Sequence, residues 1–485
     1  MLSGLAVATL YATLVASAFN PLHHSGPASP YFDAPPQDDI PVETPAGCIV
    51  DQAAYIVRHG SRYPEPGSFA GWQSLFTTFQ NSSYTASGPL AFIPSWTLPV
   101  DDQPHEPLFL SSTGAGEAFS LGMELRKRYG LTPGGSNITV WSAGQQRVID
   151  TANYFVQGYL SQGNYLSNTS ENRGTIISLP DSVNYTFANS LTPSSACPSY
   201  SSGDRSAVAT TFRANYQPSI AKRLNKFLDG LTLNSTSIGP MQDLCGFQTE
   251  VNGDSRFCDV FEESEWLDYE YAHDLNYYYG SGPGNPFSAT TGFPWVRAVT
   301  DLFVLGPNKT TSDGTFTPPP LLMSFTHDNN LPPIISALGL WNASDVSPLS
   351  LVKPNPARHF RASNLVAFRG YVALERLSCE QPLGKSVHHT ANQVVVTPGK
   401  GVNAKKYVRV RVDNAPVAIP GCTSGPGSSC SLASFAKYVD ETRAHASGDF
   451  VKSCGLQSVP NATSAFTAFT RIPEDSTAFL VPLPV

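Results

Sequence analysis

Three short apolar runs, each cut off by a polar turn, constrain this 485-residue chain more than any other feature. Ala53-Ala54-Tyr55-Ile56-Val57 stops at Arg58-His59-Gly60, and Ile138-Thr139-Val140-Trp141 stops at Ser142-Ala143-Gly144. Leu321-Leu322-Met323-Ser324-Phe325 stops at Thr326-His327-Asp328. A continuous apolar run has no solvated face, so it fits a strand covered on both sides, as in a parallel sheet. Between and after the runs, Gly114–Tyr129, Arg147–Leu160 and Ile334–Leu340 carry apolar residues near helical spacing, the first ending in a basic turn before Gly130. Strands alternating with helices predict an α/β fold with a mostly parallel sheet. Residues 161–294 break that rhythm with Tyr-rich helical segments and read as a smaller, inserted, mainly α-helical domain. Residues 48–160 and 295–485 then form the α/β domain, and the Pro-rich residues 19–47 an extended N-terminal arm.

The chain carries marks of export. Residues 1–18, MLSGLAVATLYATLVASA, hold no charged side chain and end in Ala16-Ser17-Ala18, the pattern of a cleaved signal peptide. The run is short of the roughly 20 apolar residues that span a bilayer, so no membrane association is expected once it is removed. Eight cysteines without C-x-x-C spacing (Cys48, Cys197, Cys245, Cys258, Cys379, Cys422, Cys430 and Cys454) predict four disulfides rather than a zinc site. Asn-x-Ser/Thr sequons stand at Asn81, Asn137, Asn168, Asn184, Asn234, Asn308, Asn342 and Asn461, glycosylation candidates on a secreted surface. A secreted, extracellular glycoprotein is the expectation. The 30 Lys+Arg against 38 Asp+Glu give a net charge of −8 and include no basic run, which excludes a sequence-independent nucleic-acid binder. Oligomeric state leaves no mark in the sequence.

Ligands of such sheets bind outside the carboxyl ends of the strands. Those ends deliver Arg58-His59-Gly60-Ser61-Arg62-Tyr63-Pro64, the loop that reaches Arg147, and His327-Asp328. Guanidinium groups grip phosphate oxygens in bidentate fashion, and His59 sits between two of them. Gly60 is expected to take backbone angles that other residues avoid, exposing His59. The cluster suits a phosphate monoester with a nucleophile beneath it. No Gly-x-Ser-x-Gly and no P-loop is present, and His388-His389 has no ligand partners at metal spacing.

The motifs RHGSRYP, SAGQQRVIDTANYFVQGY, EYAHDLNYYYGSGPGNP, SFTHDNN with SALGL, LVAFRGYVALERLSC, YVRVRVDNAPV and CTSGPGSSC extend over most of the chain. In them the sequence resembles the histidine acid phosphatase family and, within it, the fungal phytase-like branch. The resemblance implies a phosphoglycerate-mutase-like α/β domain, a smaller helical domain and an active site in the cleft between them. It implies that His59 attacks phosphorus to form a phosphohistidine, and that Arg58, Arg62, Arg147 and His327 bind the phosphoryl oxygens. Asp328, protonated at acid pH, would donate to the leaving oxygen and then serve as base for water. No metal or other cofactor is implied, because guanidinium groups do the work of a divalent ion. Spacing alone allows 105 cysteine pairings; the resemblance implies Cys48–Cys379, Cys197–Cys454, Cys245–Cys258 and Cys422–Cys430.

Two positions depart from the phytase-type pattern. Trp141 stands where those relatives carry an Arg, and Tyr277 where they carry a Lys. Losing cations from the pocket wall weakens the grip on a highly anionic substrate, unless both residues merely fill space. A broad acid phosphatase acting on phosphate monoesters is therefore the favoured reading, with phytate a candidate substrate and a dedicated phytase the alternative. A phosphoglycerate-mutase-type transferase and a non-catalytic secreted glycoprotein rank lower.

Overall fold

In the computed structural model, residues 19–130, 137–161, 174–181, 187–307, 309–341, 348–380 and 404–481 are described. The expected signal peptide, the sequons at Asn168, Asn184, Asn308 and Asn342, and His388-His389 lie outside them. The strands are β1 (Cys48–Arg58), β2 (Thr85–Ala86), β3 (Ile138–Ala143), β4 (Gly174–Leu179), β5 (Leu228–Asp229), β6 (Leu321–Thr326), β7 (Tyr371–Cys379), β8 (Lys405–Val412), β9 (Ala415–Val417), β10 (Cys430–Ser431) and β11 (Thr477–Val481). Nine of them form one sheet in the order β10-β8-β7-β1-β6-β3-β4-β11, with β9 on β8, while β2 and β5 pair separately.

The three apolar runs are neighbours at the centre. β1 pairs in parallel with β6, β6 with β3 and β3 with β4. Ala53 to Val57 are all buried, as is every residue of β6. The flanks differ: β7, β8 and β10 on one side and β11 on the other run antiparallel to their neighbours. Thus the parallel character predicted from the runs belongs to the middle of an α/β sheet that is mixed as a whole. The β1–β6 register aligns Arg58 with Thr326, so Arg58-His59 and His327-Asp328 leave the sheet side by side.

The helices before β7 are α1 (Pro66–Gln80), α2 (Ser112–Tyr129), α3 (Gln146–Leu160), α4 (Pro198–Gly203), α5 (Val208–Leu224), α6 (Ile238–Asn252), α7 (Glu263–Gly280), α8 (Ser288–Leu305) and α9 (Leu331–Leu338). α2 is capped by Ser111 and ends on Gly130 at φ 55°, the left-handed stop that its basic last turn announces. α4 to α7 succeed one another without a long strand, and α5 packs on α7. The stretch 161–294 is nonetheless not all helical, because β4 lies within it and belongs to the main sheet. Residues 19–47 hold two 3-10 turns, Pro21–His24 and Gly26–Ala28, and lie against α6 and α7. Four disulfides join Cys48–Cys379, Cys197–Cys454, Cys245–Cys258 and Cys422–Cys430. The first ties β1 to its antiparallel neighbour β7. Among the described residues no helix is long and apolar enough to cross a membrane. Asn81, Asn137, Asn234 and Asn461 are exposed.

The turn after β1 sits against the first turn of α2. A Cβ on Gly60 would lie 2.5 Å from the Gly114 carbonyl oxygen, and one on Gly114 only 2.0 Å from the Ser61 carbonyl oxygen. Gly60 is not among the residues with positive φ, so close approach, not unusual backbone angles, demands glycine here. Both obstacles are backbone atoms that cannot rotate aside. Gly114→Ala should therefore lower stability by about 1–3 kcal/mol, an overpacking cost, and depress activity with it. Denaturant unfolding at pH 5 compared with wild type checks this.

Candidate active site

Arg58 closes β1 and is wholly buried. Its Nη1 donates to the carbonyls of Pro27 (2.5 Å) and Val366 (2.6 Å), its Nη2 lies 3.1 Å from Asp328 Oδ2, and its guanidinium covers the Phe368 ring at 4.4 Å. The N-terminal arm, the loop before β7 and the end of β6 thus each hold one part of one side chain. Arg62 is held by the Tyr63 carbonyl and by Glu65 Oε1, both at 2.9 Å. Arg147, the second residue of α3, places Nη2 3.4 Å from His327 Nδ1 and 4.0 Å from Glu65 Oε1. Burial, followed by the charge of Arg58, pulls Arg62 down to about 10. Burial also lowers Arg147.

His59 is 1% exposed, and its Nδ1 is 2.9 Å from the Gly60 carbonyl oxygen. A carbonyl only accepts, so Nδ1 carries the hydrogen and Nε2 keeps its lone pair. Burial, then Arg58, Arg62, Arg147 and His327, hold this imidazole well below its usual range, so it stays neutral in mild acid. A neutral ring with a free Nε2 is a nucleophile. The His327 ring lies edge-on to it, with centroids 5.7 Å apart. A guanidinium only donates, so His327 Nδ1 accepts from Arg147, which leaves its Nε2 facing Asp181 Oδ2 at 3.9 Å.

These groups border a cavity of about 510 Å³. Arg58, Arg62, Arg147, His327 and Asp328 line it, whereas His59 does not. Arg58 Nε, Arg62 Nε, Arg147 Nε and His327 Nε2 are buried donors without a hydrogen-bond partner. A buried donor left without a partner costs about 1–3 kcal/mol. Among the described residues no group of three or more His, Cys, Asp or Glu could hold a metal.

The structure gives Asp328 a hydroxyl partner and brings two further carboxyls to the cavity. The groups around Asp328 favour its ionised form. Burial pushes its carboxyl up, but Arg58, Arg62 and the Tyr277 hydroxyl outweigh this and hold it at about 2. Tyr277, on α7, donates to Asp328 Oδ2 at 2.9 Å and lines the cavity. It is therefore more than filler. Trp141 is filler: its Nε1 donates to the Ala468 carbonyl, its ring meets Phe469 edge-on, and it does not line the cavity. Glu65 and Asp181 are lining carboxylates that no motif singled out. Glu65 follows RHGSRYP directly, and that adjacency was the available signal. Asp181 lies 36 residues past the cleft-facing loop at Gln145 and has none.

A parallel-centred α/β sheet whose strand ends converge on a guanidinium-lined cavity defines an anion-handling protein of the phosphoglycerate-mutase-like class. Comparison with known proteins places it further: the histidine phosphatase superfamily (branch 2) matches residues 49–412. The chain is 31% identical to a phytase of Candida albicans over 91% of its own length and 88% of that protein's. It is 29% identical to an acid phosphatase of Komagataella pastoris, covering 90% and 87% of the two chains. The crystal structure of the phytase from D. castellii superposes with a TM-score of 0.78 at 24% identity, over 94% of this chain and 93% of that one. The chain belongs to the histidine phosphatase superfamily, branch 2.

Tyr277→Phe removes one of the groups that hold Asp328 down. The Asp328 titration midpoint, followed by carboxyl-carbon NMR, should rise from about 2 while remaining below that of an ordinary carboxyl, since Arg58 and Arg62 persist.

Proposed function

We propose that the protein is a secreted acid phosphatase that hydrolyses phosphate monoesters through a phosphohistidine at His59. The observation that carries this reading is the buried imidazole of His59, its Nδ1 turned to the Gly60 carbonyl and its ring held well below its usual range by burial and the neighbouring guanidinium groups. Nε2 forms the bond to phosphorus as the ester P–O bond breaks. Charge that builds on the equatorial oxygens is met by Arg58, Arg62, Arg147 and His327, which are preorganised by the contacts above. The leaving oxygen takes its proton from Asp328. Although Asp328 is ionised without ligand, a bound phosphate occupies the same guanidinium groups and adds negative charge beside it. Both effects raise its proton affinity. Water then attacks phosphorus, gives a proton to Asp328 and breaks the P–N bond, which restores His59.

The lining favours a broad monoesterase over a dedicated phytase. Three guanidiniums (Arg58, Arg62, Arg147) share the cavity lining with four acidic side chains (Glu65, Asp181, Asp243, Asp328), and Glu65 and Asp328 are already paired with Arg62 and Arg58. His273 also lines it, but burial and then Arg213 bring it down to about 3, so it adds no positive charge in mild acid. The lining therefore offers cations enough for one phosphate and no surplus for several. Related proteins include both a phytase and an acid phosphatase, and phytate stays a candidate substrate. The four disulfides suit an oxidising, extracellular setting.

His59→Ala should abolish release of p-nitrophenol from p-nitrophenyl phosphate at pH 5. Acid-labile, base-stable phosphate should be trapped on the wild type and absent from the variant. Full turnover by His59→Ala would overturn the mechanism. On wild type, kcat/KM for phytate should not exceed that for p-nitrophenyl phosphate; a value on the order of tenfold higher, about 1.4 kcal/mol of transition-state preference, would establish the dedicated phytase.

A further inference from the structure

Ser61 lies between the proposed nucleophile His59 and the proposed phosphate ligand Arg62, and every polar group it has is engaged away from the cavity. Its N–H donates to Glu117 Oε2 of α2 at 2.7 Å. Its hydroxyl donates to Glu250 Oε2 of α6 at 2.9 Å. Its carbonyl accepts from Ser111 N at 2.9 Å and Ser111 Oγ at 3.0 Å. Neither carboxylate lines the active-site cavity. Two acidic side chains from two different helices therefore converge on one residue of the turn.

We propose that Glu117 and Glu250 are positioning residues that hold the His59–Arg62 turn through Ser61, and that their grip lasts only while the pair shares a proton. This rests on the phosphatase reading above. The neighbours of the pair make the two carboxyls unequal. Glu117 is faced by Arg369 and Arg58, which oppose the upward push of its burial, and by Ser61. Glu250 is faced by Glu117, a like charge, and by Ser61. Burial and then Glu117 push Glu250 up to about 7, so it is the member that keeps the proton in acid. With one proton between them, both carboxyls accept from Ser61 without repulsion. Once Glu250 ionises, two buried negative charges meet on one serine, and separation of α2 from α6 is favoured. α2 and α6 also touch directly, but the Ser61 turn is bonded to both carboxyls, so it shifts as they part and carries His59 and Arg62 with it.

The sign follows from proton binding. Glu250 holds its proton more tightly in the folded chain than in the unfolded one. Stability from this group is complete below its ordinary value of 4.5 and is lost as pH rises from there to about 7. Activity depends on the folded-state titration and falls near the upper end of that window.

The test uses Glu250→Gln and Glu117→Gln. Either amide still accepts from Ser61, yet neither variant can place two charges there. Expected is an alkaline limb of kcat on p-nitrophenyl phosphate shifted upward by roughly one pH unit in both variants, with the acid limb unmoved. The melting temperature of each variant relative to wild type should climb between pH 4.5 and about 7. If one variant fails to fold, the other carries the measurement. An unmoved alkaline limb in a folded variant overturns the proposal, as does a downward shift. Absence of phosphatase activity in the wild type would instead defeat the underlying functional reading.

Discussion

Burial of the Arg58 guanidinium at the end of β1 is the constraint around which the distant parts of the chain are arranged. A charge with no solvent must be hydrogen-bonded and paired, or folding would leave it out of the core. The partners come from three segments: the Pro27 carbonyl of the N-terminal arm, the Val366 carbonyl and Phe368 face of the loop before β7, and Asp328 beyond β6. Residues 19–47 therefore cannot behave as a loose arm. Gly26 reinforces this, since a Cβ there would lie 2.7 Å from His273 Cγ on α7. The arm fits between the end of the sheet and the helical elements, and its carbonyl completes the site.

The same burial sets the proton states on which the chemistry depends. Burial, reinforced by three guanidiniums, holds the His59 imidazole well below its usual range, while Arg58 and Arg62 outweigh burial and hold the Asp328 carboxyl down. In the reaction proposed above, one guanidinium cluster thus acts on the protons of both His59 and Asp328, with opposite outcomes. Tyr277 strengthens the coupling, because its hydroxyl bonds the carboxylate oxygen that also faces Arg58.

What the sequence made legible was what is local and continuous. The apolar runs marked β1, β3 and β6, since strands buried on both faces leave no polar position to confuse the pattern. The turn residues after them were legible because they follow a strand end directly. What depended on distant contacts was not. β4 was hidden in a stretch that otherwise reads as helix, and Tyr277 could be read only as a missing cation or a space-filler, because nothing in the helix α7 indicates that its hydroxyl meets Asp328. Gly60 was assigned to the right place for the wrong reason: its partner Gly114 is 54 residues away, and a contact across that distance has no local signature.

The antiparallel side of the sheet shows why the low charge count misleads in the same way. In β8 the sequence Lys-Lys-Tyr-Val-Arg-Val-Arg-Val alternates as though its arginines faced water. Arg409 and Arg411 are instead buried, and both pair with Glu375 of β7, whose carboxyl also accepts from the Tyr129 hydroxyl at 2.6 Å. Arg376 pairs with Asp51 of β1 at 2.7 Å, and Arg443 donates to the Ala337 and Ser336 carbonyls beyond β6. Several of the chain's few cations are thus interior struts, in addition to those at the strand ends. With 14% charged residues and some of these spent inside, the outer surface is more neutral than the count implies. Charge in this fold is concentrated where chain segments from far apart in sequence must be held in register, and the phosphate-facing cluster is the end of that network that opens to solvent.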